Sequence, residues 1–144
     1  MINQDTVKLL RECDSGVKMG ISAIDDVMAY VKSNTLKGIL QDTMSESQRL
    51  KDDLQIVLEN YHDQGKEPNP MAKGMSWVKT NMKLKMDESD STVAELMIDG
   101  CNMGIKSLSR YLNQYKNADS KSKSLAGKLV SSEEKLSSQM RQFL

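Results

Sequence analysis

The chain has 144 residues, enough for one domain with a sizeable interior. Its 20 basic and 20 acidic residues cancel, so no global field favours nucleic acid or an anionic membrane surface. Two cysteines, both mid-helix by pattern, exclude a disulfide framework, and no apolar run approaches the roughly 18 residues of a membrane span.

Met1-Ile2-Asn3-Gln4-Asp5 leads straight into charged residues without the apolar region of a signal peptide, so a cytoplasmic protein is expected. Both prolines fall in Pro68-Asn69-Pro70, and 11 methionines stand against one Trp, one Phe and four Tyr. Long proline-free flanks with an aliphatic core predict an all-α fold.

A first helix is predicted over about 4–33, with Leu10, Cys13, Val17, Ile21, Ile24, Met28 and Val31 recurring at threes and fours as one buried stripe. Ser33-Asn34-Thr35 interrupts that pattern, and Thr35 suits the cap of the next helix. The second helix, 35–61, carries Leu36, Leu40, Met44, Ser47, Leu50, Leu54, Val57 and Tyr61. His62 to Pro70 is loop by every local signal. A short helix follows over 71–86, with Met71, Met75, Val78, Met82 and Met86 on one side. The third helix, 91–116, has Val93, Met97, Cys101, Ile105, Leu108, Leu112 and Tyr115 in its stripe, and Asp90 and Ser91 sit where its cap belongs. Asn117-Ala118-Asp119 turns the chain into the last helix, 119–144, striped by Leu125, Leu129, Ser132, Leu136, Met140 and Phe143.

The short first and last links predict two antiparallel αα-hairpins. The stretch from His62 to Asp90 is far longer than a hairpin needs and suits a crossover to the far end of a bundle. Four long helices with one long crossover between the second and third is the ferritin-like arrangement, here one domain over residues 1–144. An internal repeat agrees: Gly16-Val17-Lys18-Met19-Gly20-Ile21 matches Gly100-Cys101-Asn102-Met103-Gly104-Ile105 as G-x-x-M-G-I, offset by 84. A weaker alignment of Ser45–Leu58 with Ser131–Leu144 makes the chain read as one hairpin used twice, an internal duplication.

Paired hairpins, a crossover helix holding Trp77 and lysines, and glycines at the centres of the first and third helices together resemble the uncharacterised bacterial ferritin-like bundles, more distantly the spore-coat ferritin-like proteins. The resemblance implies fold far more than activity.

A di-iron site in such a bundle needs carboxylates from two helices and Glu-x-x-His from the other two. The one histidine, His62, falls in a loop. Arg49 follows Glu46 at the histidine spacing, and Leu136 or Ser137 stands where Glu133 or Glu134 would need one. Val17 and Cys101 hold the central stripe positions of the first and third helices. The bundle is therefore expected to carry no metal or other cofactor, with Glu46 and Glu133 solvated or flanking the stripe rather than remnants of a site. One histidine without a constrained nucleophile gives no triad, and no strand leads into a phosphate loop, so no enzymatic activity is expected.

Two features invite a binding role. Gly16, Gly20, Gly100 and Gly104 each cost roughly 1 kcal/mol inside a helix relative to alanine. Spaced by four, they open a flat strip for close helix packing within the bundle or for an interface with a partner or second copy. The 71–86 helix presents Lys73, Lys79, Lys83 and Lys85 with no acid, beside Met75 and Trp77, as a bundle cover or a partner surface. The expectation is a non-enzymatic structural or interaction bundle with a protein partner or as a homodimer; the alternative is a metal-binding ferritin-like protein for iron handling or oxidoreduction.

Overall fold

The computed structural model describes residues 4–68 and 89–144. Among these residues there are four long helices, α1 (Gln4–Met28), α2 (Asn34–Asn60), α3 (Asp90–Gln114) and α4 (Ser120–Met140), closed by a 3-10 turn at Arg141–Phe143. No described residue is in a strand. The expected helix over 71–86, with Met75, Trp77, Lys79 and Lys83, lies outside the described residues.

Each helix buries most of the stripe its spacing marks, including Cys13, Val17 and Ile24 on α1 and Val93, Met97, Cys101 and Leu108 on α3, while Ile21 and Met28 on α1 and Ile105 and Leu112 on α3 are only half-buried. The ends differ from expectation for local reasons. α1 stops at Met28 rather than near Ser33 because Asp90 claims the next backbone donors: its carboxylate accepts from Lys32 N at 2.7 Å and Ser33 N at 2.9 Å. Ser33, not Thr35, then caps α2, its hydroxyl accepting from Leu36 N at 3.2 Å. Ser89 caps α3 in place of Asp90 or Ser91, accepting from Thr92 N at 3.2 Å. Asp119 caps α4 through Ser122 N at 2.8 Å.

The interior is divided into two apolar clusters. One joins Leu9, Leu10 and Cys13 of α1 to Leu54 and Leu58 of α2, Leu108 of α3 and Leu125 and Leu129 of α4. The other joins Ile24 and Val27 to Leu36 and Leu40, Val93 and Met97, and Leu136 and Met140. Thus α1 and α4 run one way along the molecule while α2 and α3 run the other. α1 packs against each of the other three helices, and α4 against α2 and α3. Hydrogen bonds tie the first end together: Asp119 N donates to Thr6 Oγ1 at 2.8 Å and the Tyr61 hydroxyl donates to Asp119 at 3.1 Å.

Residues 63–68 return along this end and are held by one buried acid absent from the stripes. Asp14 is fully buried. It accepts from Lys18 Nζ at 2.8 Å, Gln55 Nε2 at 3.1 Å and the Lys66 backbone N–H at 3.0 Å. Lys66 Nζ pairs with Glu12 at 2.6 Å, and Lys18 reaches Glu67 at 3.1 Å. Gly65 makes the approach feasible: its φ is +86°, and a Cβ there would run into the Asp14 carboxylate.

Candidate functional site

Between the two apolar clusters lies a cavity of about 260 Å³. Val17, Leu108 and Leu129 reach it from one cluster, and Ile24, Met97 and Leu136 from the other. Both copies of the glycine repeat form its walls. α1 contributes Gly16, Val17, Met19 and Gly20, and α3 contributes Gly100, Cys101, Met103 and Gly104. Met19 and Met103 are 44% and 53% exposed, so the cavity reaches the surface between α1 and α3 with a methionine on each side of its mouth. α2 adds Thr43 and Ser47, and α4 adds Ser132 and Glu133.

The glycines face this space. A Cβ on Gly100 would meet nothing within 4 Å, and one on Gly16 would make ordinary contact with Leu129 at 3.7 Å. On Gly20 and Gly104 the neighbour is the Glu133 carboxyl, at 4.0 Å and at 3.2 Å. The missing side chains thus leave room for a carboxyl group and a cavity, and in none of the four does another helix's backbone supply the nearest atom.

Glu133 is the polar centre of the site, where the expectation was a solvated or stripe-flanking residue. It is only partly exposed, and burial pushes its carboxyl up to about 7, partly opposed by the neighbouring Cys101 thiol. Burial first, and the Glu133 charge second, push the Cys101 thiol well above its ordinary range. Cys13, buried deeper in α1, is pushed up to about 12 by burial and by Glu12 and Asp14. Both thiols are therefore neutral and poorly nucleophilic near pH 7. Glu46, the other carboxylate weighed from the sequence, is exposed on α2 and pairs with Lys135 at 3.7 Å. Glu12 also lines the cavity, at the end where Lys66 neutralises it.

The donor set does not fit a di-metal centre of the ferritin-like kind. The waist offers one carboxyl and one neutral thiol, and among the described residues no group of three or more His, Cys, Asp or Glu is placed to share an ion. No helix among the described residues is long and apolar enough to cross a membrane. No family model, no curated protein and no solved structure matches the chain.

The sequence singles out the four glycines and puts Ser47 and Ser132 in the stripes of their helices, and the structure brings all six to the cavity. From sequence alone, Glu133 is expected only as a solvated or stripe-flanking residue rather than a metal-site remnant. The usable signal was that Glu133 falls on the same face as Leu129 and Leu136, three or four residues from each, and so cannot point fully into water.

Proposed function

We propose that this chain is a non-enzymatic binding bundle that holds a small, largely apolar molecule in the cavity at its waist. The observation that carries this reading is the split interior. Two well-formed apolar clusters are separated by about 260 Å³ of space, and four glycines keep that space open. Interiors normally pack without such voids, and an apolar cavity of roughly 150 Å³ already admits benzene. By that scale this one suits a molecule of about ten heavy atoms. Binding rather than turnover is favoured because the thiol beside Glu133 is neutral, leaving one carboxyl without a nucleophile to activate.

The architecture that presents the cavity is proposed to be ferritin-like. Support comes from the helix directions, α1 and α4 against α2 and α3, which place the end of α2 and the start of α3 at opposite ends of the molecule.

The test is ligand-observed NMR with hexan-1-ol as a neutral probe, on the full chain and on Gly100→Leu. The leucine would project from a position with open space in front of it. Saturable binding that the leucine abolishes, while the fold is retained, is the expected result. Absence of saturable binding to the unmodified chain would overturn the reading.

A further inference from the structure

Resting on that reading, we infer that the cavity's occupant is a primary alkylamine, its short apolar tail between the two clusters and its ammonium group on the Glu133 carboxylate. The cavity walls are mainly apolar, interrupted by the Glu133 and Glu12 carboxyls, the Cys101 thiol and several hydroxyls. The titratable groups facing the cavity are Glu12 from α1, Cys101 and Tyr111 from α3, and Glu133 from α4; α2 supplies only the hydroxyls of Thr43 and Ser47. Among the described residues that line it there is no basic side chain. Glu12 is already matched by Lys66. Among the described residues the neutral Cys101 thiol lies beside Glu133 and no basic side chain lines the cavity, so a negative charge there has no cation among them. A buried carboxylate without a positive partner is the costliest group in the interior, and an incoming cation is what removes that cost.

An ammonium head also matches the remaining polar groups. It carries three donors and no acceptor. Glu133 can take one or two of these, and a hydroxyl the rest. Thr43 already donates its own hydroxyl proton to the Ile39 carbonyl at 3.0 Å, which leaves its oxygen lone pairs as acceptors. A carboxylic acid anion would meet Glu133 as a like charge, and an alcohol would gain the hydrogen bond without the charge. The glycines opposite Glu133 set the room for the head group, since Gly20 and Gly104 are the residues against its carboxyl oxygens.

Because the neutral carboxyl must lose its proton to pair with the ammonium, affinity rises with pH up to about 7 and then levels. Titration of the full chain with hexylammonium, hexan-1-ol and hexanoate, followed by NMR shifts of the Met19 and Met103 methyl groups, tests this. Hexylammonium is expected to bind at least about tenfold more tightly than hexan-1-ol at pH 8, with hexanoate weakest. Glu133→Gln should abolish the preference for hexylammonium over hexan-1-ol. Should Glu133→Gln not fold, loss of the preference for hexylammonium as pH is lowered to about 5 in the unaltered chain carries the same test. Equal affinity for hexylammonium and hexan-1-ol at pH 8 overturns the inference but leaves an apolar cavity that binds. Absence of saturable binding by hexan-1-ol and hexylammonium alike overturns both.

Discussion

The Cys101 thiol lies beside the Glu133 carboxyl across the α3–α4 contact, joining the second copy of the glycine repeat to an acid the repeat does not contain. The pair closes one wall of the cavity and is asymmetric. The thiol stays neutral throughout the physiological range, whereas the carboxyl, pushed up to about 7 by burial, changes charge within it.

Glu133 therefore imprints a pH dependence on folding. Below its ordinary value of 4.5 it is protonated whether folded or unfolded and contributes no slope. Between there and about 7 the unfolded chain ionises while the folded one does not, so stability falls as pH rises and flattens above. Glu133→Gln removes that slope. The variant should gain on the unaltered chain by on the order of 3 kcal/mol between about pH 4 and about pH 8. Paired urea unfolding curves check this, and a stability difference that stays flat across the range would contradict it.

Cys13 and Cys101 are both buried and both pushed toward the neutral thiol. Their modification by a disulfide reagent is expected to require opening of the bundle, with Cys101, beside the cavity, reacting first. Mass spectrometry of partially modified protein reads the order. Rapid reaction of either thiol in the native state would show that the interior admits the reagent.

Asp14 fixes residues 63–68 to the bundle through the Lys66 N–H, and it is shielded completely from water. Replacing it with alanine strands Lys18 and Gln55 and releases the loop. The expected loss is about 3 kcal/mol, with faster hydrogen exchange at Lys66. Gly65→Ala should act on the same contact from the other side, costing about 1–3 kcal/mol because a left-handed residue gains a Cβ that collides with Asp14. Unaltered exchange at Lys66 in Asp14→Ala would rule out the anchoring role.

The periodic part of the fold was legible because a helix stripe is a repeated signal: Leu10, Cys13, Val17 and Ile24 mark one face several times over. The ends were less so. Whether α1 stops at Met28 depends on Asp90, far along the chain, taking the Lys32 and Ser33 donors, and no local pattern encodes that. Asp14 was invisible for a related reason. A polar residue beside a stripe reads as solvated unless its partners are known, and its partners are Gln55 and the Lys66 backbone. The glycines were noticed as a cost inside helices, but cost alone does not say whether the vacated space holds another helix, a carboxyl or a cavity. Glu133, 29 residues from Gly104 in the sequence, supplies that answer in three dimensions only.

The glycines also give the clearest separation of outcomes. Gly100→Ala adds a methyl group where nothing lies within 4 Å, so the gain in helix propensity should appear almost undiminished, as up to about 1 kcal/mol of added stability. Gly104→Ala makes the same local gain but brings its methyl to 3.2 Å from the Glu133 carboxyl carbon, which has to shift by a few tenths of an ångström. Glu133 can give toward the cavity, though at the expense of its contact with Cys101. The alanine at 104 is therefore expected to stabilise less than the alanine at 100, and combining it with Glu133→Gln should not restore the difference, because glutamine occupies the same volume. Combining it with Glu133→Ala should restore it, since the obstructing group is gone. Thermal unfolding of the single and double variants measures all four values. If Gly100→Ala destabilises while Gly104→Ala does not, the open space at the first position and the carboxyl contact at the second are both misassigned.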